Sequence, residues 1–314
     1  MINLLIAPVC PRATFSSFPG SAPIVSSKGV LYYAKMPPIV ACHTNCYGHL
    51  GALAAIENVR SSGLAHVELP IRTAGFVSRR GDQALVTTDS TLDELRTVER
   101  LLEHHQVALA SCNCMSGTPL NEANLASMLR KLDLASHFGV SLVVADAGAA
   151  GDSAERESIY GNLSKIGDRA ATLGITVCFE THRGLCVNHR EMLRLMADLQ
   201  HPCLRLNFDT GNILYYNEQV NGEVSLAKVC HLVKHVHLKD SSGLFNDWNF
   251  PALGTAGGVD FLRVFQLMRD CGFQGPYSIE IEGVGEEPDL SLAEYHQRVV
   301  DSVKYLRTLG YFDG

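Results

Sequence analysis

Residues 204–212 read LRLNFDTGN and residues 233–240 read VKHVHLKD. In each, a short apolar-rich run delivers chemically capable side chains at its C-terminal end. The same grammar extends to both sides. ITVCFE begins at Ile175 and YSIEIE at Tyr277; earlier come IVACHT from Ile39, AHVELP from Ala65, VALASCN from Val107 and SLVVADA from Ser141. Each run passes through a polar or glycine-containing loop into a longer stretch with helical periodicity, the pattern of parallel βαβ units. Eight runs are what a closed parallel barrel requires, and near-continuous apolar character suits strands covered on both faces. A doubly wound open sheet shares much of this pattern, yet no GxGxxG or GxxxxGK(S/T) loop follows the first run. The sequence therefore predicts an α/β fold, a parallel eight-stranded (β/α)8 TIM barrel forming a single domain over residues 39–314. A loose N-terminal extension is expected over residues 1–38.

The segments between the runs carry helix signals. Leu125, Met128, Leu129 and Leu132 recur at helical spacing, as do Ile159, Leu163, Ile166 and Ala170, and then Tyr295, Val299, Val303 and Leu306. Gly63, Gly139, Gly174 and Gly272 stand just before the next run, where a helix is expected to stop. GTAGG, residues 254–258, could cradle a phosphate, but it leads into VDFLRVF and reads better as the turn entering a helix.

Composition narrows the function classes. The 314 residues are 46% hydrophobic and 19% charged, with a net charge of −7 and no run of Lys or Arg. That balance argues against tracking a nucleic-acid backbone. No stretch reaches the roughly 20 apolar residues that span a bilayer, and LLIAPV near the N-terminus lacks the positive segment of a secretory signal. The ten cysteines form no CxxC pair and no zinc-ribbon spacing. They read as reduced thiols of a cytoplasmic protein.

In a parallel barrel the site gathers where the strands end. The last four runs end in Phe179-Glu180-Thr181-His182, Asn207-Phe208-Asp209-Thr210-Gly211-Asn212, His235-Val236-His237-Leu238-Lys239-Asp240 and Ser278-Ile279-Glu280-Ile281-Glu282-Gly283. A lone carboxylate or histidine there would serve well as an ion-pair partner. Four in succession point to a shared cation that offsets the cost of burying them. Glu180, Asp209, His237 and Glu280 are an oxygen-rich set suited to a divalent metal, manganese first, with magnesium, cobalt or zinc as alternatives. Glu282 lies two residues beyond Glu280 and faces the same way, so it is the competing strand-8 ligand; His235 stands in the same relation to His237.

These four segments resemble the xylose-isomerase-like TIM-barrel superfamily, which contains sugar isomerases, ketose 3-epimerases, inosose and dehydroshikimate dehydratases and endonuclease IV-type enzymes. HVHLKD and NFDTGN are similar to its strand-7 and strand-6 signatures, FETH to its strand-5 E-N-H motif and YSIEIEG to its strand-8 motif. The resemblance runs from about Ile39 to Leu309 and implies Glu180, Asp209, His237 and Glu280 as metal ligands. It places His182 near the substrate, with His235 and Lys239 as further substrate contacts. Thr181 replaces the usual Asn, and Asn212 stands where ketose 3-epimerases tend to have a histidine.

The expected activity is a metal-dependent isomerase or epimerase of a small sugar or sugar derivative, working by proton transfer through a metal-stabilised enediolate. Glu180 and Glu280 would double as ligands and acid/base pair. The alternative on the same scaffold is a dehydratase of inosose or dehydroshikimate type. An endonuclease IV-like phosphodiesterase would need more histidines at the ends of the second and third runs, where His66 precedes Glu68 and Asn113 closes Ser111-Cys112-Asn113. A non-catalytic sugar-binding barrel is the remaining reading. Substrate-binding candidates are His182, His235, Lys239, Asn212, Glu68 and Trp248, with His43, Asn113 and Asp146 as lesser ones. The expected partner is a small-molecule sugar or polyol, with no nucleic acid, no membrane, and a homo-oligomer open.

Overall fold

The computed structural model describes residues 37–79 and 81–313, together with the backbone of a short antiparallel pair, Ile24–Val25 against Leu31–Tyr32. The loose extension expected over residues 1–38 falls almost wholly outside the described residues. Eight strands, β1 Val40–His43, β2 His66–Arg72, β3 Ala108–Asn113, β4 Leu142–Ala145, β5 Thr176–Glu180, β6 Leu204–Asp209, β7 Val233–Leu238 and β8 Tyr277–Ile279, each pair in parallel with the next. Ser278 of β8 lies opposite Ala41 of β1, so the ladder closes into a barrel. The expected eight-stranded parallel architecture is the one observed.

Helices α1 Gly51–Asn58, α2 Leu92–His104, α3 Glu122–His137, α4 Ser153–Leu173, α5 His189–Leu199, α6 Gly222–Val229, α7 Phe261–Asp270 and α8 Leu292–Thr308 follow the strands in turn. Their entries are fixed by short polar caps. Thr91 and Ser291 each form a reciprocal capping box, with Glu94 and Glu294, while the Asn121, Asp152, Asn188, Asn221 and Asp260 side chains accept from first-turn amides. Gly174 ends α4 at φ 69°, a left-handed conformation that a Cβ would strain. The periodic positions of α4 and α8 all lie in the core: Ile159, Leu163, Ile166 and Ala170, then Tyr295, Val299, Val303 and Leu306. Apolar stripes on one side of each helix thus meet the outward faces of the strands, which hold the barrel shut.

Two local expectations are corrected. YSIEIE was expected to run as strand through Glu282, but β8 stops at Ile279. The Glu280 amide still donates to Leu238 O, whereas Glu282 donates to Phe250 O, because the chain there peels away into an antiparallel pair, Gly283–Val284 with Asn249–Phe250. The cysteines are also not uniformly reduced: Cys230 and Cys271 form a disulfide. Cys230 follows α6 and Cys271 follows α7, and these ends approach on the outside of the barrel to a Cα separation of 6.2 Å, within disulfide reach. A sequence separation of 41 residues carries no such signal.

The glycine-rich segment is the turn into α7, and its amides are already used. Gly254, Thr255 and Ala256 donate to Asp240 Oδ2 at 2.9, 3.0 and 3.1 Å, so a fully buried carboxylate sits in this nest. Among the described residues no helix is long and apolar enough to cross a membrane.

Candidate metal centre and substrate cleft

Strand register brings the candidate ligands to one level. His237 pairs with Asp209 across β7 and β6 and with Ser278 across β7 and β8, while Glu180 at the end of β5 lies opposite Asn207. One donor atom from each of Glu180, Asp209, His237 and Glu280 falls within 4.8 Å of the others, and all four residues are buried. His237 Nδ1 is 3.4 Å from Glu180 Oε1, 3.8 Å from Asp209 Oδ2 and 3.2 Å from Glu280 Oε2. Glu280, rather than Glu282, is the strand-8 carboxylate that joins this group.

At three of these residues one polar atom is held by the protein and the other is left facing the centre. Asp209 Oδ1 accepts from the Gly211 and Asn212 amides, both at 2.8 Å. Glu280 Oε1 accepts from Asn45 Nδ2 at 2.7 Å. His237 Nε2 sits 3.0 and 3.1 Å from the two Glu68 oxygens; a carboxylate can only accept, so Nε2 carries a proton and Nδ1 is the nitrogen turned to the centre. The remaining atoms, Asp209 Oδ2, His237 Nδ1 and Glu280 Oε2, are buried without a hydrogen-bond partner. Buried polar atoms without a hydrogen bond are costly, and although Lys239 lies 3.3 and 3.1 Å from the two carboxylate oxygens, three such atoms aimed at one point, with Glu180 beside them, fit a divalent cation. Three carboxylates and one imidazole are a hard donor set.

Lys239 adjoins this group. Its ammonium lies 3.3 Å from Asp209 Oδ2, 3.1 Å from Glu280 Oε2 and 2.7 Å from Glu282 Oε2, and donates to Asn212 Oδ1 at 3.2 Å. Burial alone would lower its affinity for the proton, but Asp209 and Glu280 outweigh that and hold it well above the usual lysine value. Its stem explains the glycine of FDTGN: a Cβ on Gly211 would stand 2.7 Å from Lys239 Cγ. Burial pushes the Glu180 carboxyl up, against the pull of His237, whereas Lys239 and His237 overcome burial at Glu280 and hold it well below the carboxylate range. Two carboxylates on one site are thus driven apart in acidity.

Glu68 and His235, expected at the substrate, are corrected to a layer beneath it. Both are fully buried inside the barrel. Glu68 faces His237, His235 at 3.1 Å and His43 at 3.6 Å, and accepts from Asn113 Nδ2. Burial would raise its pKa, but the three imidazoles hold it well below the carboxylate range. His235 is fixed by Asn207 Oδ1 at 2.9 Å and Ser111 Oγ at 3.0 Å. Glu68, His235 and His237 are also close enough to form a donor group of their own. Their facing atoms are already joined by hydrogen bonds, so the arrangement orients His237. Lys239 lies among the four candidate ligands, not on the cleft wall.

Above the centre opens a cleft of about 740 Å³, walled in part by His43, Asn45, Asn113, His182, Asn212, Tyr216 and Trp248, with Glu180, Glu280 and Glu282 also exposed to it. His182, Asn212 and Trp248 therefore stand where substrate contacts were expected. Asp146 does not line it; its Oδ1 accepts from the Gly148 amide, a loop cap. Asn45 and the β2–α2 segment Thr73–Phe76 went unread in the sequence. Asn45 follows His43 by two residues at the first strand end, a position a search of all eight βα loops would have reached.

The family described as xylose isomerase-like TIM barrel matches residues 56–309. An inosose dehydratase of Clostridium botulinum is 28% identical over 160 residues, 46% of this chain and 51% of that one. An L-ribulose-5-phosphate 3-epimerase of Salmonella typhi is 35% identical over 98 residues, 31% of this chain and 32% of that one. The chain thus spans about half, or less, of the length of the curated relatives it matches. A xylose isomerase-like TIM-barrel protein from Mycobacterium smegmatis, solved in complex with magnesium, superposes with a TM-score of 0.61 at 18% identity, covering 86% of this chain and 97% of that one.

Proposed function

The chain belongs to the xylose isomerase-like TIM-barrel family, and from that premise we propose that it is a divalent-metal-dependent isomerase or epimerase of a small sugar or polyol. Glu180, Asp209, His237 and Glu280 are its metal ligands, and manganese is the proposed ion, with magnesium, cobalt or zinc in its place under other supply. The observation that carries the reading is the convergence of three buried atoms without a hydrogen bond, Asp209 Oδ2, His237 Nδ1 and Glu280 Oε2, beneath a cleft that Glu180 and Glu280 enter.

A divalent cation held there supplies Lewis-acid polarisation of a carbonyl and a template for the neighbouring hydroxyl. The side chains do the rest. Glu280, held ionised by Lys239 and His237, takes the proton from the carbon beside the carbonyl. Glu180, whose carboxyl favours its proton, returns one from its own side. Lys239 balances the negative charge that develops as the C–H bond breaks, and His182, Asn212 and Trp248 orient the hydroxylated substrate.

A second reading, dehydration of a cyclic keto-polyol, is favoured by the similarity to an inosose dehydratase. It uses the same base and departs only in that a β-hydroxyl leaves instead of a proton returning. Incubation of the metal-loaded protein with ketoses and inososes in D2O distinguishes the two: isomerisation or epimerisation places deuterium on the recovered sugar, whereas dehydration produces a conjugated carbonyl absorbing in the ultraviolet. Glu180→Gln and Glu280→Gln should each slow the reaction by about 10²–10⁴-fold. Full metal retention by Asp209→Asn, measured by elemental analysis, would overturn the ligand assignment.

A further inference from the structure

Glu280 stands where the chain is leaving one sheet for another. The last rung between β8 and β1 pairs Ile279 with Cys42, and Glu282 already donates to Phe250 O in the antiparallel pair. Between them the Glu280 amide keeps a barrel partner, Leu238 O at 2.9 Å, but the Ile281 amide has none on a neighbouring strand. A base or ligand set on such backbone needs other support, since a misplacement of about 1 Å can cost on the order of 100-fold in rate.

The turn that follows β1 supplies it. Asn45 Nδ2 donates to Glu280 Oε1 at 2.7 Å. A carboxylate can only accept, so the amide nitrogen is the atom that faces it. Asn45 Oδ1 is buried without a partner, so the amide is aligned by Glu280. Cys46 takes the backbone. Its Sγ accepts from the Ile281 amide and donates to Ile279 O, both at 3.3 Å, bridging the residues on either side of Glu280. A thiol is a weak donor and acceptor, but at 1% exposure water does not compete for it. The turn is itself anchored. The Asn45 amide donates to His43 Nδ1 at 3.1 Å, and His43 Nε2 lies 3.6 Å from Glu68, which also holds His237. At Gly48, φ 54°, the Tyr295 ring of α8 fills the place a Cβ would take, so the helix packs directly on the turn. One connected set of contacts thus reaches two candidate ligands, His237 through Glu68 and Glu280 through Asn45.

Resting on the proposed role of Glu280, we infer that Asn45 and Cys46 are positioning residues for it. The Asn45 amide keeps Oε1 occupied, so that Oε2 is the oxygen offered to the centre, and the Cys46 thiol holds the backbone that carries the side chain. Both act through Glu280.

The test uses the full chain with Asn45→Leu, which removes the donor at similar size, Cys46→Ala, and Cys46→Ser, whose hydroxyl can donate and accept. Manganese affinity is read by competition with a fluorescent chelator, and kcat and KM are measured on whichever ketose or inosose the wild type turns over. Asn45→Leu and Cys46→Ala should each lower metal affinity by about 10–100-fold, with kcat falling more than KM rises, while Cys46→Ser stays near wild type. In a Glu280→Ala background Asn45→Leu should cost no further affinity, because the amide has nothing left to hold. Wild-type affinity and turnover in Asn45→Leu would overturn the inference, and so would a loss of affinity that persists undiminished in the Glu280→Ala background. An equal loss in Cys46→Ser and Cys46→Ala would overturn the part given to the thiol. Should Cys46→Ala fail to fold, the Asn45→Leu and Glu280→Ala comparison still decides. A wild type that bound manganese but exchanged or eliminated nothing would sink the proton-transfer reading instead, with the affinities still judging the positioning role.

Discussion

Glu68 shows how a single residue can be visible in the sequence and yet misplaced. A carboxylate in AHVELP stands out because its neighbours are apolar, but what it touches depends on His237, which is 169 residues away, and on His235 and His43. Fully buried, it accepts from His237 Nε2 and the Asn113 amide, with His235 and His43 at 3.1 and 3.6 Å, and so presents His237 Nδ1 to the centre. Glutamine has one accepting oxygen, and its amide would confront His237 or His235 with a second donor. Glu68→Gln should therefore weaken metal affinity by about 10–100-fold, as read by competition with a fluorescent chelator; an unchanged affinity would refute the orienting role. The candidate ligands were easier to read, because each ends an apolar run. The residues alone left Glu280 and Glu282 in competition and only the resemblance selected Glu280, since the reason lies in where the chain leaves the ladder and in the Asn45 amide that holds Glu280 Oε1.

At the scale of elements, helix faces were legible from periodicity, and their exceptions were not. In α3 the apolar positions Met128 and Leu132 are buried as the spacing predicts, but Lys131 is buried with them, at 0% exposure, its ammonium donating to Met115 O at 2.7 Å. Burial lowers its pKa from 10.5 to about 8, with the Cys114 thiol working weakly the other way. Below pH 8 the lysine is charged in both folded and unfolded chains, and the folded state bears the full cost. Between pH 8 and 10.5 the unfolded chain holds more protons, so stability rises with pH and the cost fades. Relative to wild type, Lys131→Met should therefore lose up to about 3 kcal/mol of its advantage across that interval, measured by urea unfolding at stepped pH. A flat difference would show that the ammonium reaches water. Helix α3 also shows why the disulfide escaped notice: elements reveal their faces in sequence, but not which helix ends, such as those of α6 and α7, come to lie side by side.

For the whole molecule, a cation held by the proposed ligands would tie the ends of β5, β6, β7 and β8 together through one point, so binding there would be coupled to folding. At a metal concentration near 100 times Kd the folded state gains about 2.7 kcal/mol, and thermal unfolding should move up by several degrees, a shift abolished by chelation and absent in Asp209→Asn. The gain depends on pH. In the metal-free chain burial would lower His237, but Glu68 and Glu280 outweigh it and hold His237 protonated well above its ordinary range. The ion must displace that proton, so apparent affinity should rise with pH through neutrality and fall in mild acid before ordinary carboxylates titrate. Calorimetry in buffers of different ionisation enthalpy would report the proton release, and a pH-independent affinity would contradict it. The amino-acid sequence by itself determined the eight strand–helix repeats and the polar residues at their ends, because periodicity and cost of burial are local properties written along one chain. Only the tertiary structure decided which atom of each ligand faces the centre and that Glu68 lies beneath it. It also decided that Asp240 fills the glycine-rich nest and that Cys230 meets Cys271, because each of these is a contact between segments whose separation in sequence says nothing of their distance in space.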